Sequence, residues 1–154
     1  MRIIYMLRRP GAALVFRICT GGFFIAAGAA KLAQPASLFA NQVKSFGILP
    51  GGWELPVALT LPWLELLSGL FLLTGLFTRW AAAIIGAQLA VFTIALSAAI
   101  LAGSALENCG CLPGVSETPA QALVRDAIMI AWLATVFRGL PGSFSLDRWF
   151  DPAE

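Results

Sequence analysis

The fold is decided by the stretch from Trp80 to Gly103, which reads WAAAIIGAQLAVFTIALSAAILAG. It contains no Asp, Glu, Lys or Arg. A helix needs about 20 apolar residues to cross the hydrocarbon core of a bilayer, and this stretch is long enough. Because lipid offers no partner to exposed backbone groups, a spanning segment of this kind must be helical. The stretch therefore predicts a transmembrane α-helix.

Three other segments of the chain have the same apolar character and length. They run from about Ala12 to Ala33, from about Leu55 to Phe77 and from about Ala120 to Phe137. With the 80–103 segment, they predict an all-α integral membrane four-helix bundle that forms a single domain over residues 1–154. The connection Thr78-Arg79 is very short, which indicates that the second and third spans form an antiparallel hairpin.

The composition excludes several classes of protein. The chain is 59% hydrophobic and 12% charged, with a mean hydropathy of +0.85. A soluble domain is roughly 45–50% apolar and about 25% charged. The composition therefore excludes an ordinary soluble domain and favours a membrane protein. The net charge of +2, without a long basic run, gives no electrostatic surface for nucleic acid. The chain has no histidine and only three cysteines. It therefore lacks the commonest metal and haem ligand, and cannot build a four-thiolate site alone.

The two ends of the chain need separate consideration. The first span follows a basic start and contains small residues, as a cleaved signal peptide would. Arg17 interrupts its apolar run and three more spans follow, so we expect a retained first helix. Residues 138–154 are predicted to form a short amphipathic tail on the cytoplasmic leaflet.

Lys and Arg are distributed unevenly between the two sides of the predicted bundle. One side carries six of them: Arg2, Arg8, Arg9, Arg79, Arg138 and Arg148. The other side carries only Lys44 in its first loop, and no basic residue between Ser104 and Gln121. Positive residues favour the cytoplasmic side. We therefore expect a multi-pass protein of the bacterial inner membrane with both termini in the cytoplasm.

Small residues indicate where the helices pack. Gly22, Ala26, Ala29 and Ala33 are predicted to give the first helix a small-residue face for helix contacts. Cys19 is expected to be an inert core residue of the same helix, and Trp132 to pack within the bundle.

Ionisable residues inside apolar spans are costly and suggest function. We predict a supporting charge network of Lys31, Glu65, Arg125 and Asp126. Three of these lie near the outer helix ends, whereas Glu65 is deeper and needs a cation, for which Lys31 and Arg125 are the candidates. An ion-pair network that fixes helix register and a role in substrate or proton handling both remain open. Arg17 is expected to be structural and to snorkel to the cytoplasmic interface.

Two thiols, Cys109 and Cys111, lie one residue apart in the polar segment before the fourth span. The charge distribution places them in the periplasm, where disulfides form and persist. A disulfide across Gly110 would close a very small ring, which ties down little chain entropy and is expected to be strained and labile. This favours redox activity over a static staple, so we take the two cysteines as the candidate catalytic residues.

Three motifs resemble the MauE branch of the DoxX-like family, small four-helix membrane proteins associated with methylamine utilisation and other redox systems. They are Gly22–Leu32 (GFFIAAGAAKL) followed by Pro35; Leu49-Pro50 leading to Leu61–Glu65 (LPWLE), Gly69 and Gly75; and Cys109-Gly110-Cys111 followed by Arg125-Asp126. The resemblance covers roughly residues 14–137. Relatives commonly continue the Cys-Gly-Cys with an aromatic residue and glycine, where this chain has Leu112-Pro113-Gly114.

The resemblance implies a helical bundle related in layout to quinone-linked disulfide-forming membrane enzymes. It also implies a role in making or maintaining disulfides in exported proteins, beside a thioredoxin-like partner. The leading hypothesis is therefore a thiol–disulfide component whose electrons pass to or from a quinone. The alternatives are a non-catalytic accessory subunit of a larger membrane redox complex and, less favoured, soft-metal binding, for which we assign no metal site. Whether the thiol pair turns over, as an oxidoreductase would, is left open by the sequence.

Overall fold

The computed structural model describes residues 10–101 and 117–137. These residues form five α-helices: α1 (Pro10–Leu32), α2 (Ala36–Ser45), α3 (Glu54–Thr74), α4 (Thr78–Leu101) and α5 (Pro119–Phe137). The described ranges contain no strand, so the prediction of an all-helical chain is confirmed for them.

Three of the helices are long and apolar enough to cross a membrane. They are the segments Leu14–Leu32, Glu54–Thr74 and Thr78–Leu101. The helix α5 lies where the fourth span is expected but is not one of these three. The fourth span, the four-helix membrane bundle and the cytoplasmic position of the termini therefore stay predictions.

The short helix α2 was not predicted, because its ten residues have too mixed a composition for a span. It begins directly after Pro35, whose extended backbone breaks the chain away from α1. It ends before Gly47, which has a positive φ of 66°. Phe39 is its buried residue, and α2 packs mainly against α3. The helix therefore folds back over α3 instead of leaving an open loop.

The helices α1 and α3 are in close backbone contact at glycines. A Cβ atom on Gly28 would lie 2.7 Å from the carbonyl oxygen of Pro62, and one on Gly69 would lie 2.8 Å from that of Gly21. Cβ atoms essentially never come so close to a backbone oxygen, so these positions require glycine. The pairing of later α1 residues with earlier α3 residues shows that the two helices are antiparallel. Small residues allow this approach in lipid, where packing drives helix association.

The prediction of which small residues of α1 contact a neighbouring helix is wrong. The glycines that contact α3 lie one position earlier in the chain than the predicted small residues. A Cβ on Gly22 would meet nothing within 4 Å, and Ala26, Ala29 and Ala33 are exposed. Cys19 is also exposed instead of being a core residue. The packed face carries Gly21 and Gly28 instead, because both sides of α1 are apolar and only the fit to α3 selects between them.

Arg17 does not snorkel but is buried against the last turn of α3. Its Nε donates to the Leu72 carbonyl oxygen at 3.0 Å and its Nη2 to that of Leu73 at 3.2 Å. The last carbonyls of a helix have no partner within the helix and carry partial negative charge. The guanidinium therefore satisfies these groups and links α1 to the end of α3.

The turn between α3 and α4 differs from the predicted hairpin connection. Gly75 adopts the left-handed conformation, with φ 72°, and its amide donates to the Phe71 carbonyl oxygen. This stops α3 at Thr74, and α4 already begins at Thr78. The connection is therefore residues 75–77, while Thr78 and Arg79 belong to α4.

The core lies where α1, α3, α4 and α5 meet. Its buried members are Phe24, Leu72, Ala81, Ala82, Ile85, Leu89, Trp132 and Leu133. The Trp132 ring stacks on that of Phe16 at a centroid distance of 4.7 Å, which confirms that Trp132 packs among the helices. This contact joins the second half of α5 to the first half of α1.

We predict that Gly28→Ala destabilises the protein and that Gly22→Ala does not. The new methyl group at residue 28 would collide with α3 backbone, whereas residue 22 has open space. Overpacking of this kind costs about 1–3 kcal/mol. The measurement is the free energy of unfolding of the purified variants in detergent. Equal stability of the two variants would contradict the close approach of α1 and α3.

Candidate functional site

A buried ion pair joins α1 to α3. The Nζ of Lys31 lies 2.6 Å from Oε1 and 2.8 Å from Oε2 of Glu65, and both side chains are 2% exposed. Of the two cations considered for Glu65, Lys31 is therefore the one that meets it. Lys31 is in the last turn of α1 and Glu65 in the middle of α3. The Lys31 side chain points back toward the start of α1, as helical side chains do, and so reaches the level of Glu65.

Two aromatic rings and a short polar chain surround this pair. The Lys31 ammonium lies 5.3 Å from the ring centroid of Phe39 and 5.5 Å from that of Phe92, within cation–π range. One turn along α3 from Glu65, Ser68 accepts a 3.2 Å hydrogen bond from Nε2 of Gln88 on α4. The pair thus lies where α1, α2, α3 and α4 come together.

A cavity of about 610 Å³ opens beside the ion pair. It lies between α2, α3 and α4, and most of its lining is aliphatic or aromatic. The polar residues that line it are Lys31, Gln42 and Gln88. Its volume falls within the range of roughly 300–1,000 Å³ that small-molecule sites occupy.

A second charge cluster lies at the start of α5. Arg125 donates from Nε and Nη2 to Oδ1 of Asp126, at 3.0 and 2.9 Å, and from Nη1 to a carboxylate oxygen of Glu117. Its guanidinium also lies over the Phe23 ring of α1, 4.6 Å from the centroid. Asp126 is buried, and its Oδ2 has no hydrogen-bond partner in the described part of the chain.

Reciprocal hydrogen bonds cap the N-terminus of α5. The Thr118 amide donates to Oε1 of Gln121 at 3.0 Å, and the Gln121 amide donates to the Thr118 hydroxyl oxygen at 3.4 Å. This is a capping box, which satisfies amides that a helix start leaves free. Together with the Glu117–Arg125 ion pair, the capping box holds residues 117 and 118 against the first turns of α5.

The candidate catalytic residues, Cys109 and Cys111, lie outside the described residues. The four predicted charged residues form two clusters: Lys31 with Glu65, and Arg125 with Asp126. The sequence reasoning missed Ser68, Gln88 and Gln42, because it considered only ionisable groups within spans. A glutamine in an apolar stretch is a signal of the same kind, since a primary amide in lipid also needs partners.

The structure predicts strong coupling between Lys31 and Glu65. Removing either group alone leaves its partner buried and unpaired, so Lys31→Met and Glu65→Met should each destabilise by about 3–5 kcal/mol. The double variant should be more stable than the sum of the two losses predicts. The measurement is the free energy of unfolding in detergent, with Lys44→Met as the control at an exposed lysine. Additive losses would show that the pair does not couple the helices.

Comparison with known proteins identifies the family. No curated protein and no solved structure matches the chain significantly. A family model described as Methylamine utilisation protein MauE matches residues 9–139, which include all five described helices. The grouping of this family with DoxX-like proteins stays a prediction. On the extent of the match, the chain belongs to the MauE family.

Proposed function

We propose that the protein is a membrane thiol–disulfide redox component that acts through Cys109 and Cys111. It supports disulfide formation or maturation of a periplasmic partner, such as a thioredoxin-like protein, and passes the electrons to a quinone. The observation that carries the proposal is the Cys-Gly-Cys pair, in the segment that connects α4 to α5 in a chain of the MauE family.

The chemistry of such a step is a two-electron exchange. A thiolate of the partner attacks the Cys109–Cys111 disulfide and forms a mixed disulfide. The second partner thiol resolves it, so the partner gains a disulfide and the two cysteines become thiols. Re-oxidation of these thiols releases two electrons and two protons, which convert a quinone into a hydroquinone. The segment must therefore face the compartment of its partner and lie near a lipid-soluble acceptor.

The described contacts support particular roles for the charged residues. Arg125 binds Glu117, the first described residue after the cysteine segment. Arg125 is also the predicted cation nearest the thiols along the chain, and a nearby cation favours thiolate. Lys31 and Glu65 hold α1 against α3, and Glu65 is the candidate proton carrier. Asp126 fixes the Arg125 side chain.

The proposed setting is the bacterial inner membrane. The helix α5 is taken as a fourth span, since it is 19 residues long and is antiparallel to α1. Both termini then lie in the cytoplasm, and the Cys-Gly-Cys segment faces the periplasm. The bias of six basic residues to one supports this orientation.

Trapping experiments test the exchange step. Cys109→Ser or Cys111→Ser leaves one thiol, which attacks the disulfide of the oxidised partner and forms a mixed disulfide that no second thiol at residue 109 or 111 can resolve. We expect at least one of the variants to accumulate a covalent complex with a periplasmic protein. The complex should disappear on reduction, and the double serine variant should form none. If neither single variant captures a partner, the exchange function is excluded.

A second candidate function is a non-catalytic accessory subunit of a larger membrane redox complex. The observation that favours it is the row of Gly22, Ala26, Ala29 and Ala33, which runs along α1 to the residue after its end and whose three alanines are exposed. Rows of small residues let a second transmembrane helix approach closely. In this chain α3 packs on the other side of α1, so the row is left for a helix of another subunit.

Co-purification tests the accessory function. Ala29→Leu should weaken the association with the complex, whereas Ala131→Leu, at an exposed alanine of α5 outside this row, should not. Assembly should also survive the double substitution Cys109→Ser/Cys111→Ser. A complex that depends on the thiols and tolerates leucine at residue 29 would exclude this function.

A further inference from the structure

The cavity between α2, α3 and α4 is long and follows the helix axes. Its lining residues on α4 run from Ile84 to Leu96, which is about 18 Å at 1.5 Å per residue. On α3 they run from Val57 to Leu64. Phe46, the residue after α2, packs against the cluster that contains Leu96. The cavity therefore runs from α2 into the middle of the pair formed by α3 and α4.

Almost the whole wall of this cavity is apolar. Its polar lining residues are largely engaged with other parts of the protein. The Lys31 ammonium is held by both carboxylate oxygens of Glu65, and Nε2 of Gln88 donates to Ser68. The side-chain carbonyl oxygens of Gln42 and Gln88 are buried and are not accessible from the cavity. The wall therefore offers an occupant apolar contacts and almost no hydrogen bond.

The cavity opens toward the bilayer. Four of its lining residues are exposed on α3 and α4: Leu64, Ile84, Val91 and Ile94. Both helices are among the three that are long and apolar enough to span a membrane, so their exposed side chains face lipid. Water does not fill an apolar cavity, and an empty one loses dispersion contacts along its wall. In the membrane the space is therefore filled by hydrocarbon from the bilayer.

The size and direction of the cavity fit a hydrocarbon chain. An apolar cavity of about 150 Å³ holds one benzene molecule, and by this measure the 610 Å³ here hold roughly 20 carbon atoms. Acyl chains lie along the membrane normal, as the long axis of this cavity does between two spanning helices. A ring that carries polar groups fits less well, since the wall would leave those groups unpaired.

We propose that this cavity binds one acyl chain of a membrane phospholipid, with the headgroup at the membrane surface beside α2 and the chain between α3 and α4. The chain fills the space that the three helices leave between them and packs on Phe46 and Phe92, which line it. Binding of the chain needs neither Cys109 nor Cys111 and does not depend on the proposed function.

Binding of palmitoyl-oleoyl phosphatidylethanolamine tests the proposal. The full-length chain is purified in a steroid-based detergent, which has no long alkyl chain to compete, and the phospholipid is titrated in. Native mass spectrometry counts the molecules bound, and the rise in unfolding temperature gives the dissociation constant. We expect one phospholipid to bind saturably. The dioctanoyl form, whose chains leave the deep part of the cavity empty, should bind about fivefold more weakly because it loses contacts there.

A matched pair of alanines locates the site. Ala87 and Ala90 are both exposed on α4, but Ala87 lines the cavity and Ala90 does not. Ala87→Phe places a ring in the path of the chain and should weaken binding about fivefold or more, whereas Ala90→Phe should leave it unchanged. If Ala87→Phe fails to fold, Ala95→Leu in the lining provides the same comparison, with Ala98→Leu outside the lining as its control.

Several outcomes would overturn the proposal. They are binding without saturation, equal affinity for the dioctanoyl form, and equal affinity of the cavity variant and its control. A quinone with a long isoprenoid tail is titrated as the competing occupant. Tighter binding of this quinone than of the phospholipid, weakened by Ala87→Phe, would assign the cavity to the quinone and also overturn the proposal.

Discussion

Two opposite charges in the interior of a helical membrane protein have to meet, because neither has water to solvate it, and Lys31 and Glu65 meet at 2.6 Å. This contact fixes the position of α1 along α3 and the rotation of each helix about its own axis. The neighbouring glycines, Gly28 above all, allow the backbones to come close enough for the short carboxylate to be reached. The ammonium then brings Phe39 of α2 and Phe92 of α4 to the same place. The cavity beside the pair is bounded by the elements that this contact assembles.

The sequence predicts the long helices well and their rotation poorly. Apolar runs of spanning length are visible in composition alone, and the observed bounds differ from the predicted ones by a few residues. Which side of α1 faces a neighbour is a different matter, since lipid and protein interior are both apolar. The prediction therefore selected Gly22 where the structure packs Gly21. It also placed Cys19 in the core. It placed the Arg17 guanidinium at the membrane interface, although two carbonyl oxygens of α3 are close enough to accept its hydrogen bonds.

The candidate site was predictable to the extent that it consists of charges. Lys31, Glu65, Arg125 and Asp126 stand out in apolar segments, and the structure groups them in two clusters. Their pairing depends on three-dimensional proximity, which composition does not determine. The neutral part of the site was missed because Ser68 and Gln88 carry no charge, and because α2 is too short and too polar to resemble a span. That short helix nevertheless supplies Phe39 and Gln42 to the cavity.

The contact between Lys31 and Glu65 also imposes an order on biosynthesis. Lys31 leaves the ribosome before Glu65, so α1 enters the bilayer with an ammonium that has no carboxylate beside it. The long stem of the lysine, at the end of α1, lets the ammonium stay at the water interface during this interval. The ammonium can move inward only when α3 has been made and has brought Glu65 into the membrane. We therefore expect α1 to take its final depth after the synthesis of α3 is complete.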